Sequence, residues 1–304
     1  MSLRAVKDIL TTKATVDGAG VKLPRAFGFG KTKDFDPYLL FDDFRGDKPE
    51  DYIAGFPWHP HRGIETITYV LAGEVDHGDS LGNKGRLGAG DVQWMTAGSG
   101  ILHQEMPTGD SQGRMHGFQL WANLPASLKM TAPRYQDIPS AAVPEVTEDD
   151  GTHARIITGE FWGKTGPVEA APGSTVDASY VDISVPPGKR KRIKVEVTRN
   201  AFAYVFAGSG TFRDASAPRA VLTESAADPA TAPVYDAKNH SLVLFDRGDE
   251  IVVQAGPEGI RFLLISGKPV EEPVAWWGPI VMNTQEELRQ AVEELQTGTF
   301  IKHS

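Results

Sequence analysis

The sequence predicts an all-β protein made of two β-barrels in tandem. Two observations carry that expectation. Short runs rich in Val, Ile, Tyr and Phe recur between dispersed glycines and prolines, 32 and 21 of them in 304 residues. That punctuation belongs to sandwiches and barrels. The second observation is an internal repeat. Tyr69-Val70-Leu71-Ala72-Gly73 matches Tyr204-Val205-Phe206-Ala207-Gly208, and Gly90-Asp91 with Ala97-Gly98 matches Gly248-Asp249 with Ala255-Gly256 at the same internal spacing.

Strands are expected at residues 65–72, 91–95 and 118–122 in the first copy. The second copy should have them at 154–157, 180–185, 192–197, 201–206, 241–245, 250–254 and 260–265. Residues 138–151 are rich in Pro and acid without periodicity and read as a linker. The expected division is therefore a first domain at 1–137 and a second at 152–304. A loop-like insertion rich in Ala, Pro, Ser and Asp is expected within 214–240. One helix is expected near the C-terminus. Thr284 and Glu287 form a capping box, Leu288, Val292 and Leu295 recur at helical spacing, and Gly298 is the stop.

Net charge is −9, with 40% hydrophobic and 23% charged residues. The balance fits a soluble globular chain and gives no invitation to nucleic acid or to an anionic membrane. The chain has no cysteine, which excludes disulfides, thiolate metal sites and cysteine nucleophiles. MSLRAVKDIL has no long apolar core followed by a small-residue cleavage site, and no apolar run approaches membrane-spanning length, so neither a signal peptide nor a span is expected. A cytoplasmic monomer is expected, with the nucleus open for a eukaryotic source.

The residues that carry chemistry are two pairs, His59 with His61 and His103 with Glu105. Each pair stands at i and i+2, and in a strand those positions share one face. Two neighbouring strands would bring three imidazoles and one carboxylate to a point, a set suited to a divalent first-row metal with two coordination positions left open. A closed structural zinc site is the weaker reading, because such sites usually include Cys. The repeat supplies a control. Ungapped matching places His59 on Lys194, His61 on Glu196, His103 on Arg261 and Glu105 on Leu263. The ligand set is absent from the second copy, so the fold does not require it and the first copy keeps it for chemistry.

Around these pairs the wording is specific. FPWHPHRGIETITYVLAG at 56–73 resembles the first motif of the cupins, and GDVQWMTAGSGILHQEMP at 90–107 resembles the second. DPYLLFDDF at 36–44, HGFQLWANL at 116–124 and GPIVMN at 278–283 resemble the pirin family within them. The resemblance implies two stacked cupin barrels, of the double-stranded β-helix or jelly-roll kind, with a C-terminal helix. It implies iron in the first barrel only, one ion per chain, held by His59, His61, His103 and Glu105. Mn, Ni, Cu or Zn are substitutes by the usual order of affinities. Glu65 occupies the place where many cupins keep their carboxylate ligand, a role that passes to Glu105 in pirin-like proteins.

Pirin-like proteins are linked to quercetin 2,3-dioxygenase activity. The resemblance therefore implies a planar flavonol and O2 as substrates, carbon monoxide release, and Glu105 as the base for the flavonol 3-hydroxyl. Trp58, Trp94 and Met95 are candidates for an apolar pocket wall. His77, His116 and Gln119 are candidates for lining the pocket or holding the ligands. The rival reading is a metal-binding regulator that contacts a protein partner, since pirins are also described as transcriptional co-regulators. Two weaker signals read as surface features. Gly163-Lys164-Thr165 lacks the glycine of a phosphate loop, Thr158 standing in its place, and reads as a turn; the Lys189–Arg192 cluster, between two expected strands, reads as a solvated loop, with partner binding or nuclear import the lesser reading.

Overall fold

A computed structural model of the chain describes residues 2–168, 177–212 and 237–303. Strands β1 (Val6–Thr11), β2 (Lys13–Asp17) and β3 (Val21–Phe27) lead through a helical turn, α1 (Thr32–Phe35), into β4 (Tyr38–Asp43). Then follow β5 (Phe56–His61), β6 (Ile64–Ala72), β7 (Glu74–Asp79), β8 (Lys84–Leu87), β9 (Val92–Thr96), β10 (Ile101–Thr108), β11 (His116–Asn123) and β12 (Arg134–Ile138). The second half comprises β13 (Glu145–Thr147), β14 (His153–Thr158), β15 (Glu160–Phe161), β16 (Lys164–Thr165), β17 (Ser179–Val185), β18 (Arg190–Lys194), β19 (Asn200–Thr211), β20 (Ala237–Lys238), β21 (Ser241–Phe245) and β22 (Glu250–Gly267). The chain closes with β23 (Ala275–Trp277), β24 (Ile280–Met282) and α2 (Gln285–Thr297).

The first half is a large sheet, β12-β9-β6-β11-β4-β3-β2, facing a small one, β5-β10-β7-β8. The second half is built on β1-β21-β19-β22-β17-β14-β13, with β18 and β20 folded onto it. Strand alternation sorts the large sheet of the first half into two faces. Ile67, Tyr69, Val92, Trp94, Phe118 and Leu120 join Phe202, Tyr204, Phe206, Leu242, Leu263 and Ile265 in one core between the halves. The intervening Thr68, Gln93, Gln119 and Trp121 therefore face the inside of the first barrel. The second barrel encloses an apolar core of its own, including Ile193, Val243, Ile251 and Val253.

The repeated tyrosine belongs to the interface between the halves. Tyr69 donates to Asp182 Oδ2 at 2.8 Å, and Asp182 is clasped by Arg261 at 3.0 and 2.7 Å. Tyr204 donates to Asp43 Oδ2 at 2.7 Å, and Asp43 is clasped by Arg45, whose Nε lies 2.9 Å from Oδ1. Each half thus inserts its tyrosine into an Asp–Arg pair of the other. Both aspartates are buried, so the hydroxyls and guanidinium groups replace the water each carboxylate has lost.

The ends of the chain cross over. β1 pairs with β21 of the second half, Ile9 opposite Val243. The C-terminal segment packs on the first half, with Ile280 bridging Arg62. The stretch at 138–151 also departs from the linker expected of it. β13 pairs with β14, and Val143 is buried in the core between the halves. A three-residue edge strand is too short to show periodicity. The strands expected at 250–254 and 260–265 are one bent strand, β22. The basic cluster is not a loop. It runs into β18, where Lys191 pairs with Glu148 and, at 2.9 Å, with Asp150. Most of the insertion expected within 214–240 lies outside the described residues. Helix α2 has the expected ends, a Thr284/Glu287 capping box and a left-handed Gly298.

Ladder positions correct the ungapped alignment of the copies. Tyr69 stands opposite Val92 and Phe118, and Tyr204 opposite Leu242 and Leu263. The Gly90 N–H donates to Val70 O at 2.8 Å, just as the His240 N–H donates to Val205 O at 2.8 Å. β9 therefore corresponds to β21, one strand earlier than the Gly-Asp match suggests. Counting on from Val92 and Leu242, Ile101 corresponds to Ile251, and their partners are His61 and Ile193. His103 then corresponds to Val253, its partner His59 to Lys191, and Glu105 to Ala255. The ligand set is still missing from the second barrel, but aliphatic side chains replace its buried members.

Candidate metal centre

β5 and β10 run antiparallel with His103 directly opposite His59 and Ile101 opposite His61. This register brings the three imidazoles together, with one ligand nitrogen from each lying within 4.8 Å of the others. The Nε2 atoms of His59 and His61 are 3.1 Å apart. On each ring the other nitrogen is tied to a carbonyl, His59 Nδ1 to Pro57 O at 2.9 Å and His61 Nδ1 to Pro279 O at 3.1 Å. A carbonyl only accepts, so both Nδ1 atoms carry the proton and both Nε2 atoms keep a lone pair for a cation. His103 Nε2 is buried without any hydrogen-bond partner, an arrangement that costs free energy unless something occupies the point it faces. Burial first, then the neighbouring imidazoles, holds His61 and His103 well below the usual histidine range. They are neutral at pH 7, the state a metal needs. The residues fit a divalent cation.

Glu105 shares the buried, inner face of β10 with His103. The register slips between His103 and Glu105, so that Glu105 stands opposite Phe56. The extra residue lies in β5, between Phe56 and His59, while β10 keeps an unbroken ladder with β7, His103 opposite Asp79 and Glu105 opposite His77. The carboxylate of Glu105 lies outside the histidine cluster, and Oε1 lies 3.1 Å from the hydroxyl of Thr68. That hydroxyl is also 2.7 Å from Gln119 Oε1. Burial raises the carboxyl of Glu105 above its usual range, against the opposing influence of His59 and Thr68.

A pocket of about 610 Å³ opens beside the histidines. Trp58, Phe56, Trp121, Trp276, Phe29 and Tyr52 supply aromatic walls, while His59, His61, Glu105, Thr68 and Gln119 supply polar groups. The ring of His61 meets that of Trp121 edge-on, centroids 5.0 Å apart. Arg25, doubly bonded to Asp42 at 2.7 Å, lines the same pocket. Trp58 is 54% exposed and stands at its rim.

Of the remaining sequence candidates, only Gln119 lines this pocket. Trp94 sits on the opposite face of its strand, in the core between the halves. Met95 points inward but is buried among Ile64, Ile101 and Val281. Glu65 is buried, accepts from Thr96 Oγ1 at 2.7 Å and stands apart from the histidines. His116 lies 3.3 Å from Asp43 at the interface of the halves. His77 stands opposite Glu105 on β7 and bonds to the hydroxyl of Tyr135. Thr68, Trp121, Trp276 and Pro279 were not anticipated. The first two had a signal, being inward positions of strands whose other face is apolar. Trp276 and Pro279 had none beyond the family-like wording at 278–283.

Residues 20–122 match the family model described as Pirin, and residues 180–301 the one described as Pirin C-terminal cupin domain. The chain belongs to the pirin family. A pirin-like protein of Caulobacter vibrioides is 41% identical over 301 residues, 99% of this chain and 100% of that one. The crystal structure of quercetin 2,3-dioxygenase from Acinetobacter baumannii matches with a TM-score of 0.83 at 28% identity, covering 98% of both chains. A bacterial pirin from Escherichia coli, solved in complex with nickel(II), shares the fold at 21% identity and a TM-score of 0.59, over 86% of this chain and 99% of that one. The fold is therefore the pirin bicupin with one C-terminal helix. Among the described residues no helix is long and apolar enough to cross a membrane.

Proposed function

We propose that this pirin-family chain is a metal-dependent dioxygenase acting on a flavonol such as quercetin, with O2 as co-substrate and iron(II) as the resident metal. The observation that carries the reading is a three-histidine cluster beside an aromatic-walled pocket of about 610 Å³, a size and lining suited to a planar ligand of drug-like dimensions. His59, His61 and His103 would hold the metal, with Glu105 joining them through the carboxylate oxygen that Thr68 leaves free. The metal, when bound, supplies Lewis acidity and access to dioxygen chemistry.

The chain's own residues do the rest. Trp58, Phe56 and Trp276 sandwich and orient the flat ring system and keep water from it. Glu105 accepts the proton of the flavonol 3-hydroxyl. Its raised carboxyl brings its basicity nearer to neutral pH, where a general base works best. Thr68 bonds one carboxylate oxygen and so leaves the other free to face the substrate. Nickel, manganese, copper or zinc would occupy the same nitrogens, and the nickel complex of the E. coli pirin makes nickel a useful probe.

The test is Glu105→Gln, which keeps size and one oxygen but removes the basic site. Turnover per bound iron, read as carbon monoxide release and loss of flavonol absorbance, should fall about 10²–10⁴-fold. Unchanged turnover per iron would remove Glu105 from the role of base. No turnover by iron-loaded wild type across several flavonols would instead favour a regulator whose partner binding depends on the metal.

A further inference from the structure

One hydrogen bond in the histidine cluster comes from the far end of the chain. His59 is oriented by Pro57, two residues away on its own strand, whereas His61 is oriented by the carbonyl of Pro279. The segment carrying that carbonyl is fastened to the first half at several points. Val281 N–H donates to Arg62 O at 3.0 Å. Lys129, buried with 2% exposure, donates to Val281 O at 3.1 Å, Gly63 O at 2.9 Å and Asn123 Oδ1 at 2.8 Å. Its three protons are thereby all used.

Arg62, adjacent to His61 and equally buried, donates to Phe300 O at 2.8 Å, pairs with Glu294 at 2.7 Å and stacks 4.1 Å over the Phe300 ring. Gly63 has φ +78°, and a Cβ there would stand 1.9 Å from Val281 O. Only glycine lets the segment lie this close. The same segment lends Trp276 to the pocket wall, where its ring is 5.3 Å from Phe29 and 6.1 Å from Trp121.

We propose that residues 275–303 form a strap that positions His61, so that retention of the metal depends on Lys129 and Arg62 fastening the C-terminus over the first barrel. The inference rests on the metal reading above. Lys129, Arg62 and the Pro279 carbonyl are positioning groups: they act through the His61 ring, fixing its tautomer and direction. His59, whose partner is local, is an internal control within the same cluster.

The experiment compares full-length wild type, Lys129→Met and the milder Glu294→Gln, each checked for native circular dichroism. Nitrogen-15 NMR of the metal-free proteins reads the tautomer of each histidine. Release of nickel(II) to a chelator reads retention. In Lys129→Met the His61 signal should lose its single Nδ1–H tautomer while His59 keeps its own. Nickel release should quicken roughly 10–100-fold, the usual effect of losing an outer partner of a metal-bound histidine. Glu294→Gln should shift both readouts the same way by less.

Release within twofold of wild type, with both tautomers intact in Lys129→Met, would overturn the proposal. So would equal loss of order at His59 and His61, which would make Lys129 a general prop of the barrel. Wild type that binds no nickel would sink the metal reading, and the histidine signals of the metal-free protein would still decide whether the strap positions His61.

Discussion

Replacing Tyr204 with Phe tests the interface between the halves at a single atom. The ring would keep its edge-on contacts with Phe41 and Phe118, at 5.0 and 5.9 Å, so the change removes a hydroxyl and little packing. That hydroxyl donates to a carboxylate buried to 0% exposure. A hydrogen bond to a charged group contributes about 1.5–3 kcal/mol. The loss should reach that range without exceeding it, because Asp43 retains Arg45. Burial alone would raise the carboxyl of Asp43, but His116 and Arg45 outweigh it and hold it below its ordinary value of 3.8. A carboxyl depressed in the folded state stabilises the protein above its unfolded value, and that contribution disappears as pH falls through the folded value. The gap between wild type and Tyr204→Phe should therefore be full at pH 7 and close only below 3.8. Equilibrium denaturation followed by both tryptophan fluorescence and circular dichroism measures it. Tyr69→Phe, which releases Asp182 instead, should behave similarly. A loss below about 0.5 kcal/mol in both variants, the size of an ordinary surface substitution, would show that the crossed tyrosines are not what joins the halves. Metal content should be unchanged in either, since these side chains lie in the core between the halves, outside the first barrel that holds the histidines.

Two further outcomes follow from the site. Metal-loaded wild type should hold about one ion per chain by elemental analysis, and His59→Ala should hold none; a second ion that survives His59→Ala would reveal a site in the second half. Thr68→Val should lower turnover per metal roughly ten- to a hundredfold, the kinetic equivalent of one charge-assisted hydrogen bond, with Thr68→Ser restoring most of it; equal turnover in all three proteins would leave Glu105 without a need for Thr68.

What the sequence discloses and what it hides divide along the range of the interactions. Alternation is local, so the pairs His59/His61 and His103/Glu105 announced themselves, and β5 and β10 do lie side by side. The irregularity opposite Glu105, an extra residue in β5 between Phe56 and His59, is local too, but no residue marks it. The repeat was legible at its tyrosines and misleading at its turns. The turn before β9 uses Gly90 at φ +89°, and the matching turn before β21 uses His240 at φ +67°. With no glycine there, the eye passes on to Gly248, one strand late. The Pro279 carbonyl that orients His61 is a backbone atom 218 residues away. Side-chain chemistry cannot foretell such a partner.

The corrected correspondence sharpens the case that the histidines serve chemistry. At matching inward positions one barrel carries His61 and His103, while the other carries Ile193 and Val253, buried to 0%. The same sheet-and-barrel frame is therefore satisfied by aliphatic side chains, and the imidazoles are retained at a cost. His103 Nε2 is a buried nitrogen with no partner, a liability of about 1–3 kcal/mol. Val is smaller than His, so the exchange also leaves a small cavity that takes back part of the gain. Metal-free His103→Val should accordingly be as stable as wild type, or more stable by up to about 2 kcal/mol, while losing metal binding. Denaturant unfolding of both proteins in chelator, alongside metal titration, gives the comparison. A metal-free His103→Val less stable than wild type by more than about 1 kcal/mol would mean that the imidazole supports the barrel itself, and the contrast between the two copies would no longer argue for function.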